Sequence, residues 1–135
     1  MPREVIKGIP MPEPNHTTSW VTRGAGLLFT AIGPVLPDGT ISTEGIAEQI
    51  RLSLSNLKAV LEGAGSGCDN VLQIIVYLRD PGHVKILDEI YPQFFSSPYP
   101  NRSTVIVERM VVDSMKIKMV VTALAGDPLT LNQLS

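Results

Sequence analysis

A chain of 135 residues with 44% hydrophobic side chains is long enough for one domain with a real core and too short for two comfortable ones. A formal charge of -2, from 11 basic against 13 acidic residues, leaves no basic stripe and argues against a nucleic-acid partner. One cysteine and two histidines, far apart, exclude an intrachain disulfide and a multi-cysteine zinc site, so no metal and no other cofactor is expected.

The first stretch, "MPREVIKGIPMPEPNHTT", carries charges and prolines where a secretory signal would be apolar, and no apolar run reaches the ~18 residues that span a bilayer. A cytoplasmic protein with no membrane partner is the expectation. Residues 1-18 read as an irregular N-terminal segment in which Glu4 to Ile9 alternates like an edge strand. "WVTRGAGLLFTAIGP" predicts two strands around a Gly24-Ala25-Gly26 turn, with Leu27 to Ile32 apolar enough to be buried on both faces. "LPDGTI" is a turn in which proline presets one φ and glycine accepts a positive one.

Ile46, Ile50, Leu54, Leu57 and Leu61 form one apolar stripe and predict a helix from Thr43 to about Gly63, with Gln49, Arg51, Ser55, Lys58 and Glu62 elsewhere. Ser42 or Thr43 is expected to cap its start and Gly63 or Gly65 to end it. Asn70 to Asp80 reads as a central strand. A second helix is predicted from Pro81 to about Phe95, with Val84, Leu87, Tyr91 and Phe94 or Phe95 inward, thinning or kinking at Pro92. Ser103 to Met110 and Lys116 to Gly126 are the closing strands, and residues 127-135 read as a loosely held tail.

The element order implies a single α+β domain, one mixed sheet with both helices packed on one face. The strands are too apolar for the other face to stay wet, so copies of the chain are expected to cover it. "GAG" at Gly24 and "GAGSG" at Gly63 lack a Walker lysine and read as turns. Tyr91, Phe94 and Phe95 read as core, Cys68 as inert, and His16 and His83 as surface residues. Arg102 stands at the start of a strand, where it serves either a structural ion pair with a neighbouring subunit's carboxylate or a carboxylate ligand, because its fork of donors fits a carboxylate and lysine does not.

Four stretches in order, "RGAGLLFTAIG", "IAEQIRLSLSNLKAVLEGAG", "VLQIIVYLRDPGHVKILDEIYPQFF" and "PNRSTV", resemble the RidA/YjgF family, the reactive intermediate deaminases, from about Arg23 to Gly126. The resemblance implies a chorismate-mutase-like fold, a homotrimer around a sheet-lined core, and ligand clefts between neighbouring subunits. It implies hydrolysis of a small imine or enamine bearing a carboxylate, giving a 2-oxo acid and ammonia, with Arg102 holding the carboxylate. Beyond Arg102 the site pattern is not kept. The family's cleft tyrosine falls at Thr18, its "SGQ"-like stretch at Ala31, Ile32 and Gly33, its water-positioning glutamate at Val120, and a further acidic position at Thr122. Thr122 is left to orient a water by hydrogen bonding, and Glu108 or Asp113, close to Arg102 in sequence, to replace the missing base. The alternative is a fold that no longer deaminates and that binds or converts a more hydrophobic carboxylate in a cleft made apolar by Ala31, Ile32 and Val120. Ribonuclease activity, also attached to the family, is disfavoured by the acidic balance and the lack of a histidine pair.

Overall fold

The computed structural model describes residues 2–15 and 17–126; the expected loose tail at 127-135 and His16 lie outside them. The strands are β1 (Glu4–Val5), β2 (Val21–Gly24), β3 (Leu27–Ile32), β4 (Val71–Leu78), β5 (Asn101–Ile106) and β6 (Ile117–Leu124), and the helices are α1 (Ile46–Gly63) and α2 (His83–Ile90). The strands make one sheet in the order β1-β2-β3-β6-β4-β5. Only β4 and β5 pair in parallel, joined by the α2 crossover, so the sheet is mixed. Among the described residues no helix is long and apolar enough to cross a membrane.

The predicted hairpin forms because Ala25 and Gly26 both adopt positive φ, 53° and 78°, the two-residue turn whose twist matches the strands it joins. The Pro37-Asp38-Gly39 turn closes with Leu36 N–H donating to Thr40 O, and Gly39 takes φ 89°. Helix α1 starts three residues later than expected, with Gly45 at its N-cap and no side-chain cap; the Ser42 hydroxyl accepts from Glu44 N–H instead. At the other end Ala64 is the C-cap and Gly65 turns left-handed, so that Gly65 N–H donates to Glu62 O and Ser66 N–H to Leu61 O. Those two bonds occupy carbonyls that the last turn would leave bare. Helix α2 runs only from His83 to Ile90, short of the expected Pro81 to Phe95, and passes into a single 3-10 turn at Tyr91–Gln93. The expected thinning at Pro92 takes this form, because a residue without an N–H cannot continue the helix.

Both helices cover one face of the sheet. Leu28, Ile32, Ile74, Val76, Leu78, Ile117 and Met119 meet Ile50, Leu54, Leu57, Leu61 and Leu87 in a single core. The expectation that β3 and β4 are buried on both faces does not hold within one chain: the residues alternate, Phe29 of β3 and Leu72 of β4 each keep 45% of their surface, and Val120 of β6 keeps 39%. Leu27, Phe29, Ala31, Val120 and Leu124 thus line an open apolar face.

Gln49 departs most from its predicted place. It is fully buried, its Nε2 donating to Ser42 O (3.1 Å), Glu44 O (3.0 Å) and Ser114 O (2.8 Å), while its Oε1 accepts from Lys116 N–H (2.8 Å). One side chain thereby ties the start of α1 to the long connection before β6. Strand β5 stops at Ile106, short of the expected Met110, because its partner β4 ends at Leu78; Val107 N–H makes the last bond, to Leu78 O.

Candidate functional site

Arg102 is the second residue of β5, in register with Ile74 of β4. Residues in register on neighbouring strands point to the same face. Ile74 is fully buried beneath the helices, so Arg102 lies on the helix-covered side, at the edge of the sheet. There its Nη2 donates to Asp88 Oδ1 at 2.6 Å, and its guanidinium carbon sits 4.8 Å from the centre of the Tyr91 ring. An ion pair does form, but its carboxylate comes from α2 of the same chain rather than from a neighbouring subunit. It uses one of the guanidinium's five donors, and the others have no protein acceptor among the described residues.

Tyr91 is clamped in turn: its ring stacks on Phe95 at 4.6 Å and lies 6.3 Å from Tyr99. Its hydroxyl is buried without a partner among the described residues. Burial pushes its pKa up to about 12, against the pull of the Arg102 charge. Tyr91 is thus a neutral ring under a cation, an arrangement that attracts the guanidinium to the ring. Asp88, Tyr91, Pro92, Tyr99, Pro100 and Arg102 surround an open cavity of about 360 Å³. It has one cation, one anion and aromatic and proline walls, so it suits a small molecule with a carboxylate and some apolar body.

The other predicted site residues lie apart from it. Val120 and Ala31 are direct partners across β6 and β3, and Thr122 faces Phe29, all on the open face. Val120 is also in register with Ile75, whose side chain points opposite to Ile74, so Val120 and Arg102 lie on opposite faces. Two strand spacings, ~10 Å, separate their strands. Thr18 precedes β2, four spacings or ~19 Å from β5, and its hydroxyl donates to Asn15 O. Ile32 is fully buried in the core, so its side chain cannot line a cleft, which corrects its assignment as a ligand contact. Gly33 is buried as well, with its carbonyl taken by Asn56 Nδ2 at 3.0 Å. Glu108 and Asp113 follow the end of β5 and are exposed; neither lines the Arg102 cavity, and Asp113 faces Arg109 at 3.4 Å.

The carboxylate that does reach Arg102 was missed because it stands 14 residues upstream on another element. One signal was available. Asp88 is one residue past the inward Leu87 and three before Tyr91, which sets it at the rim of the buried stripe of α2. Cys68 is half-buried, and burial with the Glu62 charge raises its thiol, consistent with an unreactive side chain. His83 is partly buried, 3.8 Å from Asp80, rather than a free surface residue. Among the described residues no three His, Cys, Asp or Glu side chains cluster as metal ligands do.

Comparison with known proteins places this geometry in a family. The endoribonuclease L-PSP family model matches residues 12–125. A RutC family protein of Pyrococcus horikoshii is 34% identical over 113 residues, 82% of this chain and 90% of its own. TdcF of Escherichia coli K12, named as a reactive intermediate deaminase, is 33% identical over 95 residues, 68% of this chain and 71% of its own. The crystal structure of Escherichia coli TdcF with bound serine superimposes with a TM-score of 0.79 at 28% identity, over 90% of this chain and 98% of that one. A conserved Rid family protein of Yersinia pestis superimposes with a TM-score of 0.85 at 25% identity, over 92% of this chain and all of that one. The chain carrying this Arg102 cavity therefore belongs to the RidA/YjgF family, the group that the endoribonuclease L-PSP model describes.

Proposed function

We propose that the protein is a deaminase for a small imine or enamine bearing a carboxylate, converting it to the 2-oxo acid and ammonia. The Arg102 seat carries the reading: a guanidinium set over the Tyr91 ring, with donors to spare, at the edge of a small cavity. The deaminase name of TdcF supports it, as does the amino acid bound in that protein's crystal structure. Arg102 takes the substrate carboxylate in two parallel hydrogen bonds, and water adds to the C=N carbon. Imines of this kind hydrolyse unaided, so positioning alone supplies a useful gain and a sparse site suffices.

The open face supports a trimer in which subunits bury Phe29, Val120 and Leu124 against one another, with clefts between neighbours. Thr18, Ala31 and Thr122 then belong to the cleft as contributions from a second subunit. The reaction is tested by ammonia release from freshly generated 2-aminoacrylate. Wild type is expected to exceed buffer and Arg102→Ala to match it. Arg102→Lys keeps the charge but loses one charge-assisted bond of roughly 2 kcal/mol, so its KM is expected to rise about 30-fold. Wild type equal to buffer refutes the reading.

The aromatic and proline walls, Tyr91, Tyr99, Pro92 and Pro100, favour one second reading, a more hydrophobic acid as the natural ligand. Ile32 does not contribute to it, being core. Thermal shifts in which aromatic or long-chain acids stabilise the protein more than small 2-oxo acids select that reading.

A further inference from the structure

We propose that Asp88 is the water-activating carboxylate of this site. The inference rests on the deaminase reading and gives it the base that the sequence lacks at Val120 and that Glu108 and Asp113 are too displaced to supply. Asp88 Oδ1 is fixed by Arg102 Nη2 at 2.6 Å, whereas Oδ2 has no protein donor among the described residues. The side chain is 55% exposed and borders the cavity, so water reaches it. A ligand carboxylate seated on the remaining donors of Arg102 puts its α-carbon one bond beyond the carboxylate carbon, near the Asp88 that shares the same guanidinium. A single water held by Asp88 at hydrogen-bond distance, ~3 Å, then bridges to that carbon.

Charge points the same way. A receptor for a simple anion gains nothing from an aspartate touching its arginine, because the aspartate cancels part of the attraction. A ligand with a protonated nitrogen beside its carboxylate gains from both groups, and the iminium form of an imino acid is such a ligand. In the step proposed, the water oxygen bonds to the C=N carbon, the π electrons go to nitrogen, and a water proton goes to Asp88. Asp88 returns that proton to nitrogen. The C–N bond then breaks with its electron pair leaving on ammonia, while the hydroxyl proton passes through Asp88 to solvent and the carbonyl forms. No other co-reactant is needed.

The test compares the full-length wild type, Asp88→Asn, Asp88→Glu and Arg102→Ala in steady-state ammonia release from 2-aminoacrylate. The amide oxygen of Asp88→Asn still accepts from Arg102 and cannot take a proton, so kcat above the buffer rate is expected to fall about 100-fold with KM within about threefold. Asp88→Glu restores part of the lost kcat. Melting curves verify that each variant is folded, as an exposed ion pair permits. If Asp88→Asn keeps the wild-type kcat, or changes only KM, Asp88 merely steers Arg102 and the proposal is overturned. If wild type is active and Arg102→Ala is not, that outcome leaves the deaminase reading standing; if wild type equals buffer, both fall.

Discussion

Replacing Gln49 by leucine removes one buried amide and disconnects three places in the chain. Lys116 N–H loses its acceptor, and the Ser42 and Ser114 carbonyls lose a donor; Glu44 O keeps Lys116 Nζ at 3.0 Å. Each orphaned buried group costs ~1 to 3 kcal/mol. Ser42 O is buried while Ser114 O and Lys116 N–H are partly so; at the low end for each, the sum is about 3 kcal/mol. For a domain of this size ~4 °C is lost per kcal/mol, which gives a fall in Tm of about 12 °C. Urea unfolding at fixed protein concentration measures the free energy, and hydrogen exchange at the Lys116 amide shows whether the loss starts at the connection before β6. A loss below about 1 kcal/mol, or unchanged Lys116 protection, refutes the view that Gln49 is the anchor of that segment.

Tyr91 →Phe removes a buried hydroxyl that has no partner among the described residues, so stability at neutral pH is expected to stay level or rise by up to ~1 kcal/mol. The folded-state pKa of Tyr91 is raised from 10.0 to about 12, so its contribution is intact below pH 10 and is lost as pH climbs from 10 toward 12, where the unfolded chain ionises first. Wild-type urea midpoints should therefore drop over that window more steeply than those of Tyr91→Phe; parallel curves contradict the assignment. Gly65→Ala forces a methyl group onto φ 82° and is expected to cost about 1 to 2 kcal/mol in urea unfolding, with no change in site chemistry.

How much of this was legible in the chain depends on how local the physics is. The α1 stripe was readable because five apolar residues repeat at helical spacing, and its end was narrowed to Gly63 or Gly65 because glycine accepts the left-handed conformation that often closes a helix; Gly65 takes it. Pro92, lacking a donor, marked the weak point of α2, although the helix was expected to run on to about Phe95 and stops at Ile90. Gln49 was not readable: a polar residue one turn before Ser53 looks solvated until the connection from β5 to β6 folds back over it. The end of β5 was misplaced for the same reason, since "VIVERM" keeps alternating after β4 has run out of partners. Arg102 was found through its "NRSTV" setting. Asp88 was not, because its meeting with Arg102 depends on how α2 crosses the sheet edge, a tertiary fact that nearness in sequence misdirects toward Glu108.

The placement of the remaining site residues has a consequence that can be tested by mixing. Arg102 lies on the helix-covered side of the sheet edge, whereas Ala31, Val120 and Thr122 lie on the open face. No rotamer change carries a side chain through a sheet, so one chain cannot assemble both groups around one ligand. If the proposed trimer is right, each cleft takes Arg102 from one subunit and the open-face group from its neighbour. Arg102→Ala and Val120→Trp should then each abolish ammonia release while still assembling by sedimentation. Unfolding and refolding them together at equal ratio gives an intact cleft wherever a Val120→Trp subunit supplies Arg102 and an Arg102→Ala subunit supplies the open face. That is half of one choice times half of the other, so about a quarter of the wild-type activity should return. A mixture as inactive as its parents would mean that the two groups never share a cleft. Full activity of Val120→Trp alone would place Val120 outside the site and leave Arg102 and Asp88 to act within a single subunit.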